Sequence, residues 1–344
     1  MYINSDASIT LFTPCFTALP IVPATGERVQ WSDSNSISTD PILMPFLSPR
    51  FWPTWLGLMA LRLISLLPMA AQYTLGRFLG KMLYRLISKR RHIVEVNLKL
   101  CFPEKSEKER QQMAVEVFEN NAIGMFETSM AWWSSPDRFK DKVIIQGLEH
   151  IEKAQQEGHG ILLTGAHYST LDLGGFLLGQ KLNFSTVYRP HNNPLFDRFI
   201  CQGRSRFVEQ MLDNENSRAI VKQLRQGNVV WFAPDQDMGP KQSIFVRFFG
   251  IPAATVPATA KLARLGKAKV MIFGQHRLPN GEGYKLTISP ALDPFPTSDE
   301  AADTNLVNQG LEQAIRQFPT QYMWVHRRFK TQPDAEKSHL YAKR

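Results

Sequence analysis

The stretch "GILLTGAHYSTLDLGGFLLG", residues 160–179, carries His167 and Asp172 five positions apart. The continuous apolar run that enters it suits a strand buried on both faces of a parallel sheet. A glycine-containing apolar run leaves it, and residues 169–180 read as a helix. His167 therefore stands where a strand ends, and ligand-handling groups in open α/β sheets gather at the carboxyl ends of strands. Five residues of continuous α-helix amount to about 140° of rotation at 3.6 residues per turn. The two side chains can meet only if His167 lies in the turn, its ring folded back toward the first helical turn. Ser169 or Thr170 would cap that helix. An aspartate at imidazole distance fixes the tautomer and stabilises the imidazolium, so the other ring nitrogen can take a proton from an attacking hydroxyl. On spacing alone, a histidine and an aspartate at a turn are more often capping or surface groups than a catalytic pair.

The same layout recurs downstream. "STVYR" reads as a strand, followed by a helix over 194–204. "NVVWFAP" is a strand, "VPATAKLARLG" a helix closed by Gly266, "KVMIFG" and "YKLTIS" strands, and 303–317 a helix. This alternation argues for an α/β domain with a mixed, mostly parallel sheet flanked by helices, spanning 141–333. Upstream, residues 77–140 read as a helical region. Within it, 106–133 form a helix, opened by a Ser106–Glu109 capping box and carrying Met113, Val117, Phe118, Ile123, Phe126 and Met130 at near-helical spacing.

Residues 46–76 read as a membrane anchor. From Phe51 to Ala71 the only charge is Arg62, a length that meets the roughly 20 residues needed to cross a bilayer. A central Arg costs about 2.5–3.5 kcal/mol. Pro53 and Pro68 bracket a segment that suits an interfacial helix just as well, so spanning and lying flat both stay open. Arg77, Lys81, Arg85 and Lys89–Arg91 follow and place the remainder on the cytoplasmic side; they also suit anionic head groups. Residues 1–45 read as a poorly ordered extension and 334–344 as a flexible tail.

The 344 residues include three scattered cysteines, Cys15, Cys101 and Cys201. No CxxC pair exists to suggest a zinc site or a disulfide framework. The net charge of +9 favours anionic partners: nucleic acid, phospholipid head groups or an acidic carrier protein. P-loop, dinucleotide, zincin and G-x-S-x-G signatures are missing.

Further polar groups sit at strand ends. Arg189, in "VYRPHNNPLFDRF", can hold a phosphate or an oxyanion, or form a structural ion pair. "WFAPDQDMGP" supplies Asp235 and Asp237, followed by Lys241. This Asp-x-Asp invites a metal-dependent glycosyltransferase reading, although two carboxylates alone are weak metal ligands; they can instead orient Lys241 or Arg247. "YMWVHRRFK" mixes aromatics with His326, Arg327, Arg328 and Lys330, a composition fit for RNA or for phosphorylated lipids.

Taken together, "NLKLCFPEKSEKER", "FETSMAWW", "GLEHI", "YRPHNNPL", "WFAPDQDMGP" and "QYMWVHRRFK" resemble, in order, stretches of the bacterial lipid A late acyltransferases, the lauroyl and palmitoleoyl group. The likeness runs from about residue 45 to 333. It implies transfer of a fatty acyl chain from acyl carrier protein to a hydroxyl of a Kdo-bearing lipid A precursor. The setting would be the cytoplasmic face of the inner membrane, among its phospholipids, with no metal or other cofactor and no nucleic acid. His167 and Asp172 match the H-x4-D pattern of the wider superfamily; lipid A members usually carry Glu at the second position. The resemblance casts His167 as base and Asp172 as its orienter, and matches Arg189 and Asp235 to positions around the active site; Lys241 and Arg327 are added to them as substrate-binding candidates on their charge. A related acyltransferase acting on a glycerolipid or aminolipid is the alternative, and a membrane-tethered nucleic-acid binder a remoter one.

Overall fold

The computed structural model of the protein describes residues 46–334 and 340–342; the expectation for 1–45 lies outside them. Four helices come first: α1 (Trp52–Ser65), α2 (Met69–Leu86), α3 (Ser88–Cys101) and α4 (Glu107–Trp133). The capping box of α4 forms in both directions between Ser106 and Glu109. The apolar run of 51–71 is two helices, because the chain turns at Leu66–Leu67 and α2 starts after Pro68. At 1.5 Å per residue, fourteen-residue α1 is about 21 Å long, short of a hydrocarbon core of about 30 Å. No helix among the described residues is long and apolar enough to cross a membrane. Arg62 lies over the Trp133 ring of α4, 5.8 Å from its centroid. Gly80 lets α2 close on α4, since a Cβ there would fall 2.4 Å from Glu119 Cα.

Alternation begins at β1 (Val143–Gln146) and continues through α5 (Leu148–Gln156), β2 (Ile161–Gly165), α6 (Leu171–Gly179), β3 (Ser185–Tyr188), α7 (Pro194–Arg204), β4 (Gln210–Asp213), α8 (Ser217–Arg225) and β5 (Val229–Phe232). A hairpin, β6 (Ile244–Phe248) and β7 (Ile251–Thr255), precedes α9 (Ala258–Gly266), β8 (Lys269–Arg277), β9 (Tyr284–Ile288) and α10 (Glu300–Gln317). The seven-stranded sheet has the order β1-β9-β8-β2-β5-β3-β4. It is parallel except where β8 meets β9.

The central strand shows how the layers form. All five β2 residues are buried, and alternate side chains enter different cores. Leu163 packs with Met271, Phe176 and Trp231 on the face covered by α4, α6 and α7. Leu162 packs with Val230, Val270, Ile220 and Leu262 under α8 and α9. A third core joins α3, α4, α10, the hairpin and Tyr322, Trp324 and Phe329. From Phe46 onward the chain is one unit, so the early helices share cores with the sheet. A buried network ties them together. Arg277 of β8 grips Glu127 of α4 at 2.6 and 3.2 Å, and Tyr284 of β9 donates to Glu127 at 2.8 Å. The hydroxyls of Tyr73 on α2 and Tyr284 are 2.7 Å apart. The tail is also partly fixed: buried Tyr341 donates to Asn97 and accepts from Phe329 N–H.

Candidate active site

His167 lies outside α6, in the turn after β2, as the strand–turn–helix reading required. The carboxylate that meets its ring is Asp235; Asp172, the expected partner, pairs with Arg204 instead. His167 Nδ1 is 2.6 Å from Asp235 Oδ1, and the His167 backbone N–H donates to Asp235 Oδ2 at 3.0 Å. Strand register explains the meeting. Parallel neighbours β2 and β5 pair Thr164 with Phe232, so three residues further on His167 comes level with Asp235, about 4.8 Å away across the sheet. The 321–323 segment fixes the turn. Gln321 C=O accepts from Ser169 N–H at 2.8 Å, and Met323 N–H donates to His167 C=O at 2.9 Å. Tyr322 also hydrogen-bonds to Asp235. On α4, Gly124 makes room for the same turn, because a Cβ there would lie 2.3 Å from Ser169 O.

The pair is electrostatically coupled. Asp235 is only 1% exposed, whereas the His167 side chain is 24% exposed. Burial by itself would raise the Asp235 pKa; the His167 charge and hydrogen bonds from His167 and Tyr322 bring it down to about 2. For His167, burial opposes the charged ring, but the charge and hydrogen bond of Asp235 outweigh it. The imidazole therefore holds its proton above the ordinary range. An ionised Asp235 accepts from Nδ1–H, and no hydrogen bond occupies Nε2 among the described residues. The ring of Trp231 stands edge-on at 6.4 Å, and that of His326 lies at 6.3 Å.

Asp172 takes a different role. It sits in the first turn of α6, where the helix dipole favours a carboxylate. It accepts from Arg204 Nε at 2.6 Å. Arg204 ends α7, lies over the Tyr188 ring at 5.5 Å, and its charge counters protonation of His167. The H-x4-D spacing thus fixes a cation whose charge acts on His167. Thr170 occupies the α6 N-cap position without a side-chain cap; its hydroxyl donates to Gln275 O. Next to the Asp172–Arg204 pair is a mostly apolar cavity of about 40 Å³, lined by Leu171, Gly175, Leu178, Phe207 and Trp231 among others.

The remaining candidates spread along the same edge. Arg189 is exposed at the end of β3, two strand positions from β2, or about 10 Å sideways. Lys241 is exposed on the β5–β6 loop. Arg327 is exposed and packs over Tyr341 at 5.9 Å, tying the tail. Asp237 is turned away from Asp235: it accepts from Gly239 N–H, Thr331 N–H and the Thr331 hydroxyl. Arg247 donates to Gly250 O within the hairpin, and buried Arg328 holds Ala254 O and Thr255. Arg204 escaped the sequence reading because it looks like an ordinary basic residue in the last turn of a helix.

Residues 42–331 match a family model described as bacterial lipid A biosynthesis acyltransferase. The chain is 43% identical over 289 residues to the lipid A biosynthesis lauroyltransferase of Escherichia coli K12, covering 84% of this chain and 94% of that protein. It is 38% identical over 294 residues to the palmitoleoyltransferase of the same organism, covering 85% and 96%. The crystal structure of the 1-acyl-sn-glycerophosphate acyltransferase of Thermotoga maritima overlaps 74% of this chain and 99% of its own. Its 14% identity and TM-score of 0.36 are too distant to bear on the assignment.

Proposed function

The chain belongs to the bacterial lipid A biosynthesis acyltransferase family, and on that premise we propose that it moves a fatty acyl chain from an acyl carrier protein thioester to a hydroxyl of a Kdo-bearing lipid A precursor. The observation that carries the chemistry is the 2.6 Å His167–Asp235 contact at the carboxyl edge of the sheet, which leaves Nε2 without a hydrogen bond among the described residues. His167 Nε2 takes the acceptor hydroxyl's proton as that oxygen attacks the thioester carbonyl carbon. The tetrahedral oxyanion collapses, the carbon–sulfur bond breaks, and the thiolate leaves with the proton returned by His167. Asp235 holds the Nδ1–H tautomer and stabilises the imidazolium. Arg204, held by Asp172 through Nε, keeps its remaining N–H groups for the oxyanion.

This reading includes a seat on the cytoplasmic face of the inner membrane. It is supported by two exposed apolar stripes at helical spacing: Trp52, Leu56, Met59 and Leu63 on α1, and Leu75, Phe78, Met82 and Leu86 on α2. Arg77, Lys81, Arg85 and Lys89 beside them suit anionic head groups. An enzyme held in the interface meets its lipid acceptor at raised effective concentration.

The test is transfer by purified protein given a loaded carrier and the lipid precursor. His167→Ala keeps the backbone bond to Asp235 and should stay folded while losing about 10²–10⁴ in rate. Full activity in that variant would sink the assignment.

A further inference from the structure

The face of the sheet opposite α1 carries a basic surface that the chemistry above does not use. Residues 217–226 contain Arg218, Lys222 and Arg225, and residues 258–267 contain Lys261, Arg264 and Lys267, with no Asp or Glu in either segment. All six cations are exposed. Packed helices α8 and α9 bring them together, and an open groove of about 400 Å³ runs along α8. Its floor is apolar, formed by Val221 and the 45% exposed Leu265. Arg225 is fixed across the groove by a 2.8 Å bond to Leu265 O. Arg264 is partly matched by Asp303 at 3.9 Å.

We propose that the α8–α9 face docks the acidic carrier protein that delivers the acyl thioester, its anionic side chains on the basic rim and an apolar side chain on Leu265. The proposal rests on the acyl-transfer reading for the partner's identity, but its location comes from charge and topology. Leu162, Val230 and Val270 under α8 and α9 point away from the layer that holds Leu58 of α1. A bilayer seated on the apolar stripe of α1 therefore leaves the basic face toward water, where a soluble partner can reach it. Both helices start at the sheet edge that carries His167, because each runs back toward the start of a parallel strand. A carrier on this face needs an arm of about one helix length, ~13 Å for nine residues, plus one or two strand spacings of ~4.8 Å. Positive potential on this face would steer the encounter.

The test compares the wild-type protein with the triple variant Arg218→Glu/Lys222→Glu/Lys261→Glu, three exposed residues outside the catalytic machinery. Binding of fluorescently labelled acyl carrier protein is measured directly. Transfer is measured with two donors, the loaded carrier and the same acyl group on free pantetheine. The expected result is carrier binding and KM weakened about tenfold or more at low salt. The difference should collapse near 1 M salt, where the Debye length falls to about 3 Å. kcat, the rate with acyl-pantetheine and binding to anionic phospholipid vesicles should stay unchanged. Unchanged carrier binding overturns the proposal, as does an equal loss with acyl-pantetheine. Lost vesicle binding would show that the face meets lipid instead. A wild-type protein that binds the carrier but transfers from neither donor would refute the acyl-transfer reading and leave the docking surface standing.

Discussion

Replacing Asp235 by Asn keeps the size of a buried side chain but removes its charge. One carboxylate oxygen accepts from His167 Nδ1 at 2.6 Å, and the other accepts from the His167 backbone N–H at 3.0 Å. An amide offers one oxygen and one NH2 in those places. If the oxygen keeps Nδ1–H, the NH2 faces the backbone N–H, donor against donor. If it turns over, the imidazole must adopt the other tautomer and lose its free basic Nε2. The native pull on Asp235, from 3.8 to about 2, corresponds to about 2 kcal/mol at 1.36 kcal/mol per pKa unit. Loss of that support plus the tautomer fault predicts a drop of about 10²–10⁴ in kcat. The pH profile gives the sharper readout. A general base must be neutral, so activity fails as pH falls through the His167 pKa, and Asp235 holds that pKa above the ordinary value. Asp235→Asn removes the raising influence and leaves burial and Arg204, so the acidic limb should move to lower pH. The assay is kcat against pH from about 5 to 9 for wild type, Asp235→Asn and Asp172→Asn, each checked for folding by circular dichroism. Asp172→Asn should cut the rate through Arg204 and leave no comparable downward movement of the limb. A limb that moves down in Asp172→Asn and stays put in Asp235→Asn would refute the assignment of Asp235 as orienter.

Arg204→Ala should cost about 10²–10³ in kcat if it meets the oxyanion, and move the acidic limb upward, since its charge opposes His167 protonation; both appear in the same titration. The charged His167–Asp235 pair should contribute about 2 kcal/mol of stability at pH values above the unfolded Asp value of 3.8 and below the unfolded His value of 6.5. That contribution fades as pH falls toward about 2, or rises through the elevated His167 pKa. Urea unfolding across this range checks it, and Asp235→Asn should flatten the dependence. Glu127→Gln leaves Arg277 buried without its carboxylate and should destabilise the fold by about 3–5 kcal/mol in denaturant titrations. Leu56→Glu/Phe78→Glu, at positions 70% and 68% exposed, should leave the melting temperature unchanged and reduce flotation with phospholipid vesicles.

The elements legible in the sequence are those whose signals are local. The β2 run, the α4 capping box and α7, which spans Pro194–Arg204 as read, all depend on residues within a few positions of one another. Pro68 likewise marked the break in the apolar segment, although length alone left a span open. Short elements with weak periodicity were missed: β1 and β4, four residues each, and the β6–β7 hairpin around Gly250. The site was half legible. His167 stood out because a strand visibly ends before it. Its partner did not, because β5 reaches β2 only after two intervening strands and three helices, and no local pattern records which strands become neighbours. Asp172 looked like the partner because it is near in sequence, whereas α6 carries it toward Arg204.

The central claim is acyl transfer to a lipid A precursor with His167 as base. Its most direct measurement is the mass spectrum of lipid A from a strain lacking this chain, complemented with wild type or His167→Ala. Wild type should restore one acyl chain that the deletion strain and the His167→Ala strain both lack. An unchanged acyl count in the deletion strain, or full restoration by His167→Ala, would contradict the account.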